Sequence, residues 1–246
     1  MPAGMSLIAI ENCFPACGWV VEPQILDAGA VVQCRSLLDS RLEELRAIFS
    51  QPDAPEGEDL RHFQRGEFDL ATRLDLKVVN LLAGPRVMDF LKRFLQGVDS
   101  YLIHYPPMIR FKLPSAEASM VPLHQDSAYN AHLEDFFTVW VPLVDIDEDC
   151  GGVVVYEGSQ HQQSLPHSAA GGWEKGLGES EEHWKTSHPH MRAGDLLIFP
   201  KNLLHKSAPH SSPDRVRFSV DFRVFLRPDQ TLKSYFDPAT GQVTRR

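Results

Sequence analysis

Arg217-Phe218-Ser219-Val220-Asp221-Phe222-Arg223-Val224-Phe225 alternates polar and apolar side chains over nine residues. Successive side chains of a strand point to opposite faces. The segment therefore reads as a strand with Phe218, Val220, Phe222 and Val224 on one face and Arg217, Ser219, Asp221 and Arg223 on the other. Working upstream, short runs rich in Val, Ile, Phe and Tyr repeat the signal at 100–104, 108–112, 136–143, 153–156, 195–199 and 206–208, with Pro, Gly and Asp between them. Several short strands at such spacing predict an all-β sandwich or barrel. Before residue 100 the texture is different. Val31, Cys34, Leu37, Leu38, Leu42, Leu45 and Ile48 recur at three and four residues, the stripe of an amphipathic helix over 30–49. A second helix is predicted over 87–98, with Met88, Phe90, Leu91, Phe94 and Leu95 inward. A short strand is read at 18–21, a loop at 51–59 and a polar surface extension at 229–246. The polar stretch 171–190 is long for a compact domain, as a lid or binding loop is. The expected fold is mainly β (α+β), one domain over 1–246. A helical part at about 22–99 packs on a β core at about 100–226.

The chain has 246 residues, 43% hydrophobic and 23% charged, which excludes wholesale disorder. A net charge of -9 argues against a nucleic-acid-binding surface, which needs an excess of Lys and Arg. No apolar run approaches the roughly 18 residues of a membrane span, and no secretory signal is read. Cys13, Cys17, Cys34 and Cys150 are few and irregularly spaced. They are expected to be reduced and the protein cytoplasmic, with neither a membrane nor a nucleic-acid partner. The oligomeric state is left open.

The 11 histidines raise the question of chemistry. In extended backbone His124 and Asp126 present an imidazole and a carboxylate to one point. His205, 81 residues after His124, is the best third ligand. Two His and one carboxylate with open positions is the arrangement of non-haem Fe(II) oxygenases. Twelve residues beyond His205, Arg217 and Ser219 share a strand face, a clamp for the far carboxylate of a dicarboxylate through paired hydrogen bonds. The plainer reading of Arg217 alone is a surface residue paired with Asp221 or Asp214. The remaining histidines, His161, His167, His183, His188 and His190 among them, are expected to be mostly solvent-exposed.

Four stretches resemble the phytanoyl-CoA dioxygenase family of Fe(II)- and 2-oxoglutarate-dependent oxygenases. They are Pro122-Leu123-His124-Gln125-Asp126; Thr138-Val139-Trp140-Val141-Pro142-Leu143 with Gly151-Gly152 after it; Val155-Tyr156-Glu157-Gly158-Ser159-Gln160; and Gly194-Asp195 through His205-Lys206-Ser207. The resemblance implies a double-stranded β-helix, a jelly roll or cupin-like barrel, with N-terminal helices on one sheet. It implies Fe(II) held by His124, Asp126 and His205. Arg217 falls on the residue that binds the distal carboxylate of 2-oxoglutarate, Ser207 on a supporting hydroxyl, and Met108 and Trp140 on pocket-lining positions. It further implies that O2 and 2-oxoglutarate are consumed, succinate and CO2 are released, and a C–H bond of a small molecule is hydroxylated or otherwise oxidised. Related halogenases lack the carboxylate that Asp126 supplies, so halogenation is not expected. The His205–Arg217 interval is one residue longer than usual, which makes Arg215 the other candidate clamp, and His210 stands where the family often has asparagine.

Arg110 and Lys112 alternate with Ile109, Phe111 and Leu113, and facing the interior they suit an anionic substrate such as an amino acid or acyl thioester. A solvated strand face is the plainer reading. Tyr129, Phe137, Trp173 and Trp184 are candidates for an apolar substrate pocket, and loop 171–190 for substrate contact. Two rivals remain, a cupin-type metalloenzyme that does not use 2-oxoglutarate and a non-catalytic ligand-binding jelly roll.

Overall fold

The computed structural model describes residues 14, 16–95, 98–114, 119–165, 167–170, 173–176 and 183–246, the backbone alone at 167–170 and 173–176. Cys13, the Trp173 side chain and residues 171–172 and 177–182 of loop 171–190 lie outside the described residues.

The strands are β1 (Val20–Glu22), β2 (Leu102–His104), β3 (Met108–Lys112), β4 (Phe137–Pro142), β5 (Val153–Tyr156), β6 (His167–Ala170), β7 (Trp173–Gly176), β8 (Thr186–Ser187), β9 (Leu196–Pro200), β10 (His205–Ser207), β11 (Arg217–Phe225), β12 (Tyr235–Asp237) and β13 (Gln242–Thr244). β11 is the middle of an eight-stranded antiparallel sheet in the order β1-β9-β4-β11-β2-β12-β13, with β3 also paired to β11. A second sheet is β10-β5-β8, and β6-β7 form a hairpin. The expected jelly roll is present as open sheets whose strands, among the described residues, do not close into a hydrogen-bonded barrel.

Both faces of β11 are covered, and its alternation decides what covers each. Phe218, Val220, Phe222 and Val224 are all fully buried in the main apolar core. There Phe218 meets Phe68 and lies under Arg35 of helix α1 (Ala28–Phe49). α1 contributes Val31, Cys34, Leu38, Leu42 and Leu45, the predicted stripe. Its first turn is set by Asp27, whose carboxylate accepts from the Ala30 amide at 2.8 Å. The opposite face, Arg217, Ser219, Asp221 and Arg223, looks between the two sheets. Register places Met108, Arg110 and Lys112 of β3 and Thr138 and Trp140 of β4 beside it on the same face.

The expected boundaries shift in a few places. The second helix runs Pro85–Phe94 (α5), with proline at its first turn. Short helices α2 (Glu58–Gln64), α3 (Leu70–Arg73) and α4 (Leu76–Val79) were not anticipated. Four residues are too few to show a 3.6-residue period, and α3 and α4 are set instead by Asp69 and Asp75 capping their amides. The β core also exceeds 100–226. β1 pairs with β9, and the tail expected as a surface extension forms β12-β13 against β2, burying Phe236. Among the described residues no helix is long and apolar enough to cross a membrane.

Candidate functional site

A cavity of about 360 Å³ opens between the sheets. Its floor is built by one backbone bridge. The amides and carbonyls of His124 and His205 exchange two hydrogen bonds, each 3.0 Å, so the two side chains leave the same face and their rings lie 4.1 Å apart. Each Nδ1 faces a main-chain carbonyl, Pro122 O at 2.8 Å and Leu203 O at 3.0 Å. A carbonyl only accepts, so Nδ1 carries the hydrogen and each Nε2 keeps a free lone pair.

Both lone pairs converge on Asp126, the first residue of the helical turn α6 (Asp126–Tyr129). His124 Nε2 is 3.6 Å from one carboxylate oxygen and His205 Nε2 is 3.9 Å from the other. The three ligand atoms all lie within 4.8 Å of one another. Three donors about 2.1 Å from one ion sit roughly 3 Å apart when mutually perpendicular, so the observed set closes on a metal with small side-chain adjustments. Among the described residues it is the one such cluster. Burial, reinforced by His124, pushes the His205 imidazole down to about 3, which keeps it neutral as a ligand must be. Burial alone would raise the Asp126 carboxyl. The Arg223 guanidinium outweighs it and holds Asp126 well below the usual carboxylate range.

Asp126 is oriented by two partners that sequence reasoning missed. Thr138 Oγ1 donates to one oxygen, and Arg223 Nη2 donates to the other at 2.8 Å. Both come from adjacent strands, as Thr138 and Arg223 are cross-strand neighbours. Outer partners of this kind typically contribute 10–100-fold to metal affinity. Thr138→Val keeps the shape and removes the hydroxyl donor. It is expected to weaken Fe(II) binding by about 10-fold, measured by anaerobic titration, with the unfolding midpoint little changed.

Arg217 lies in the same cavity, 3% exposed. Its Nη1 donates to Ser219 Oγ at 3.0 Å, its guanidinium carbon is 5.8 Å from the Trp140 ring centroid, and Nε is buried with no partner. Among the described residues no carboxylate comes within ion-pair distance of it. Burial lowers its pKa to about 10. Arg215, the other candidate, is elsewhere: it makes a two-pronged ion pair with Asp147 at the surface, both contacts 2.8 Å. Met108, Trp140 and Ser207 all line the cavity, and Ser207 Oγ accepts from the Val121 amide.

The proposed substrate residues divide. Tyr129 lines the cavity edge-on to His124, ring centroids 5.0 Å apart. Arg110 also lines it, but its guanidinium is bonded to Glu67 at 2.9 Å and Asp221 at 3.1 Å. Lys112, opposite Arg217 in register, is buried outside the cavity lining, with Nζ 3.1 Å from Met120 Sδ. Burial, with Arg217 and Arg110 adding to it, pushes its pKa well down. Phe137 packs instead on Phe14 and Phe94, and Trp184 beside Leu123, Tyr156 and Leu204. The expectation of mostly exposed histidines holds for His161, His183 and His190, whereas His188 is half-buried with Nε2 2.7 Å from the Gly151 carbonyl and the His167 side chain lies outside the described residues. His104 and His132, to which the sequence assigned no role, line the cavity.

Comparison with known proteins gives a consistent result. The family model described as Phytanoyl-CoA dioxygenase matches residues 25–219. A 1-deoxypentalenic acid 11-beta-hydroxylase of Streptomyces exfoliatus is 35% identical over 124 residues, covering 45% of this chain and 43% of the relative. The match thus spans under half of that relative's length. Its counterpart from Streptomyces arenae is 33% identical with the same coverage. EvdO2 from Micromonospora carbonacea var. aurantiaca, complexed with 2-oxoglutarate, superposes with a TM-score of 0.66 at 16% identity, covering 94% of this chain and 95% of that one. The epimerase SnoN, in complex with Fe3+, alpha ketoglutarate and nogalamycin RO, gives 0.61 at 20% identity, covering 89% and 84%. At these identities the structural likeness is one of fold.

Proposed function

The chain belongs to the phytanoyl-CoA dioxygenase family, and from that premise we propose that it is an Fe(II)- and 2-oxoglutarate-dependent oxygenase that hydroxylates a small molecule. The observation that carries the reading is the pairing, in one cavity, of a two-His, one-carboxylate cluster with a buried guanidinium that has, among the described residues, no carboxylate within ion-pair distance. A buried charge without a partner is costly. Arg217 is therefore built to receive an anion, and a dicarboxylate whose other end reaches the metal meets both requirements. Neither rival reading by itself calls for an anion that bridges Arg217 and the metal cluster.

In this reading His124, Asp126 and His205 hold Fe(II). Arg217, with Ser219 fixing its guanidinium and Trp140 beneath it, holds the distal carboxylate of 2-oxoglutarate, and Met108 and Ser207 border it. The bound iron and cosubstrate, with O2, supply the oxidation of a C–H bond as 2-oxoglutarate becomes succinate and CO2. Thr138 and Arg223 keep the Asp126 carboxylate ionised and aimed. The buried walls restrict water, and Tyr129 stands at the substrate side of His124. Hydroxylation is favoured by the relatives, both hydroxylases by name, and by the intact carboxylate at position 126. A cavity of about 360 Å³ suits a small molecule. The three described cysteines, Cys17, Cys34 and Cys150, are buried and form no disulfide among the described residues, in keeping with a cytoplasmic setting.

The test is an anaerobic titration of the protein with Fe(II) and 2-oxoglutarate. A weak visible charge-transfer band that needs both components is expected. Its absence with Fe(II) bound would remove 2-oxoglutarate from the reading.

A further inference from the structure

The cavity is far more basic than the chain that forms it. Seven Lys and Arg side chains and three carboxylates border it, although the whole chain carries a net charge of -9. The three carboxylates are already engaged: Glu67 with His62, Arg65 and Arg110, Asp221 with Arg110, and Asp126 with Arg223. Arg217 has its proposed ligand. A second group of basic side chains has none.

That group sits at the opposite end of β11 from Arg217. β2 pairs with β11 at Ile103–Val224, which brings the next residue, His104, level with Arg223. Six residues of strand, roughly 20 Å, separate this level from Arg217. The His132 ring lies against His104, centroids 4.8 Å apart. The Nε2 atoms of both rings are buried and have no hydrogen-bond partner among the described residues. Arg73 reaches the same wall, its Nε donating to Pro107 O at 2.9 Å, and Lys233 closes the mouth from the segment before β12. Among the described residues neither cation has a carboxylate within ion-pair distance. The charged groups acting most strongly on the two imidazoles are cations. Burial pushes His104 down to about 3, and His132, Arg223, Lys233 and Arg73 add to it. Burial also lowers His132, and Lys233 and Arg223 reinforce it.

We infer that His104, His132, Arg73 and Lys233 form a second anion subsite, next to the metal cluster and distinct from Arg217, and that it binds an oxyanion carried by the substrate. Two unpartnered imidazole Nε2 atoms, each a donor in its Nε2–H tautomer, and two cations without counterions match the acceptors and charge of a carboxylate or phosphate. A second metal is disfavoured there by the same cations. Bound at this end, a small molecule lays its carbon skeleton across Tyr129 towards the cluster, so the anion sets which C–H bond is presented. The assignment to substrate rests on the oxygenase reading, whereas the subsite itself does not.

Calorimetry on the protein with Fe(II) and saturating 2-oxoglutarate, without O2, tests this, because the cosubstrate keeps Arg217 occupied. The probes are cyclohexanecarboxylate, cyclohexyl phosphate and the neutral cyclohexylmethanol. At least one anion is expected to bind at one site at least 10-fold more tightly than the alcohol, and the better of the two identifies the headgroup. Lys233→Met, at an exposed position, and His104→Phe are each expected to weaken that binding at least 5-fold and to leave the Kd for 2-oxoglutarate within twofold. Anions that bind no better than the alcohol, anion binding abolished by 2-oxoglutarate, or Kd values unmoved by Lys233→Met would each overturn the subsite. Should the Fe(II)–2-oxoglutarate band fail to form, the oxygenase reading falls alone. The anion titration is then made on metal-free Arg217→Met protein, which removes the other guanidinium, and its response to Lys233→Met decides the subsite.

Discussion

His205→Ala is expected to leave a folded protein that no longer retains Fe(II) and forms no succinate. The substitution removes one of the three proposed ligands and nothing that holds the strands together, because the bridge between residues 124 and 205 is made by backbone atoms. Outer partners of a metal site typically contribute 10–100-fold to affinity. A lost ligand is expected to exceed that range, leaving binding weakened by more than about 100-fold in an anaerobic titration. The control is His210→Ala. His210 is also buried, but its Nε2 donates to the Arg215 carbonyl at 2.9 Å and it does not line the cavity. Its substitution is expected to affect stability and leave Fe(II) binding intact. Iron retained at full stoichiometry and wild-type affinity in His205→Ala would strike His205 from the ligand set.

How much of this was readable beforehand follows from how local each signal is. The alternation of 217–225 needs only its own nine residues, and it gave β11 at its true boundaries with its two faces correctly divided. His124 and Asp126 are two residues apart, and the extended backbone at Gln125 carries their convergence even though Asp126 begins a helical turn. His205 is distant in sequence, and only the resemblance pointed to it with any force. What went unread depends on register. Thr138 and Arg223 are important because they are cross-strand neighbours beside Asp126, and no pattern within 136–143 or 217–225 announces that pairing. Arg110 looked available for a substrate because its partner Glu67 lies 43 residues away, brought alongside by an isolated bridge. His104 and His132 are also joined only by the packing of β2 against the loop before β4. The polar tail became a sheet edge because a three-residue strand needs only Phe236 to anchor it.

Arg217→Ala is the sharpest test of the cosubstrate site, because the alternatives predict different kinetics. With the guanidinium gone, the distal carboxylate of 2-oxoglutarate would enter a buried site with Ser219 as its remaining neutral donor. Truncating one side of a buried, hydrogen-bonded charge pair costs about 2–5 kcal/mol, which corresponds to a rise in the 2-oxoglutarate KM of roughly 30-fold or more. The KM for substrate is expected to change far less, since the proposed substrate subsite lies at the other end of β11. Arg217→Lys keeps the charge and loses the fork, so it is expected to fall between the two. Arg215→Ala is the discriminating partner: it breaks a surface ion pair with Asp147, and the 2-oxoglutarate KM is expected to stay within about twofold of wild type, as surface pairs contribute little. A large KM effect in Arg215→Ala with none in Arg217→Ala would shift the clamp by one alternation of the strand. No effect in either would separate the buried guanidinium from the cosubstrate and leave it holding a different anion.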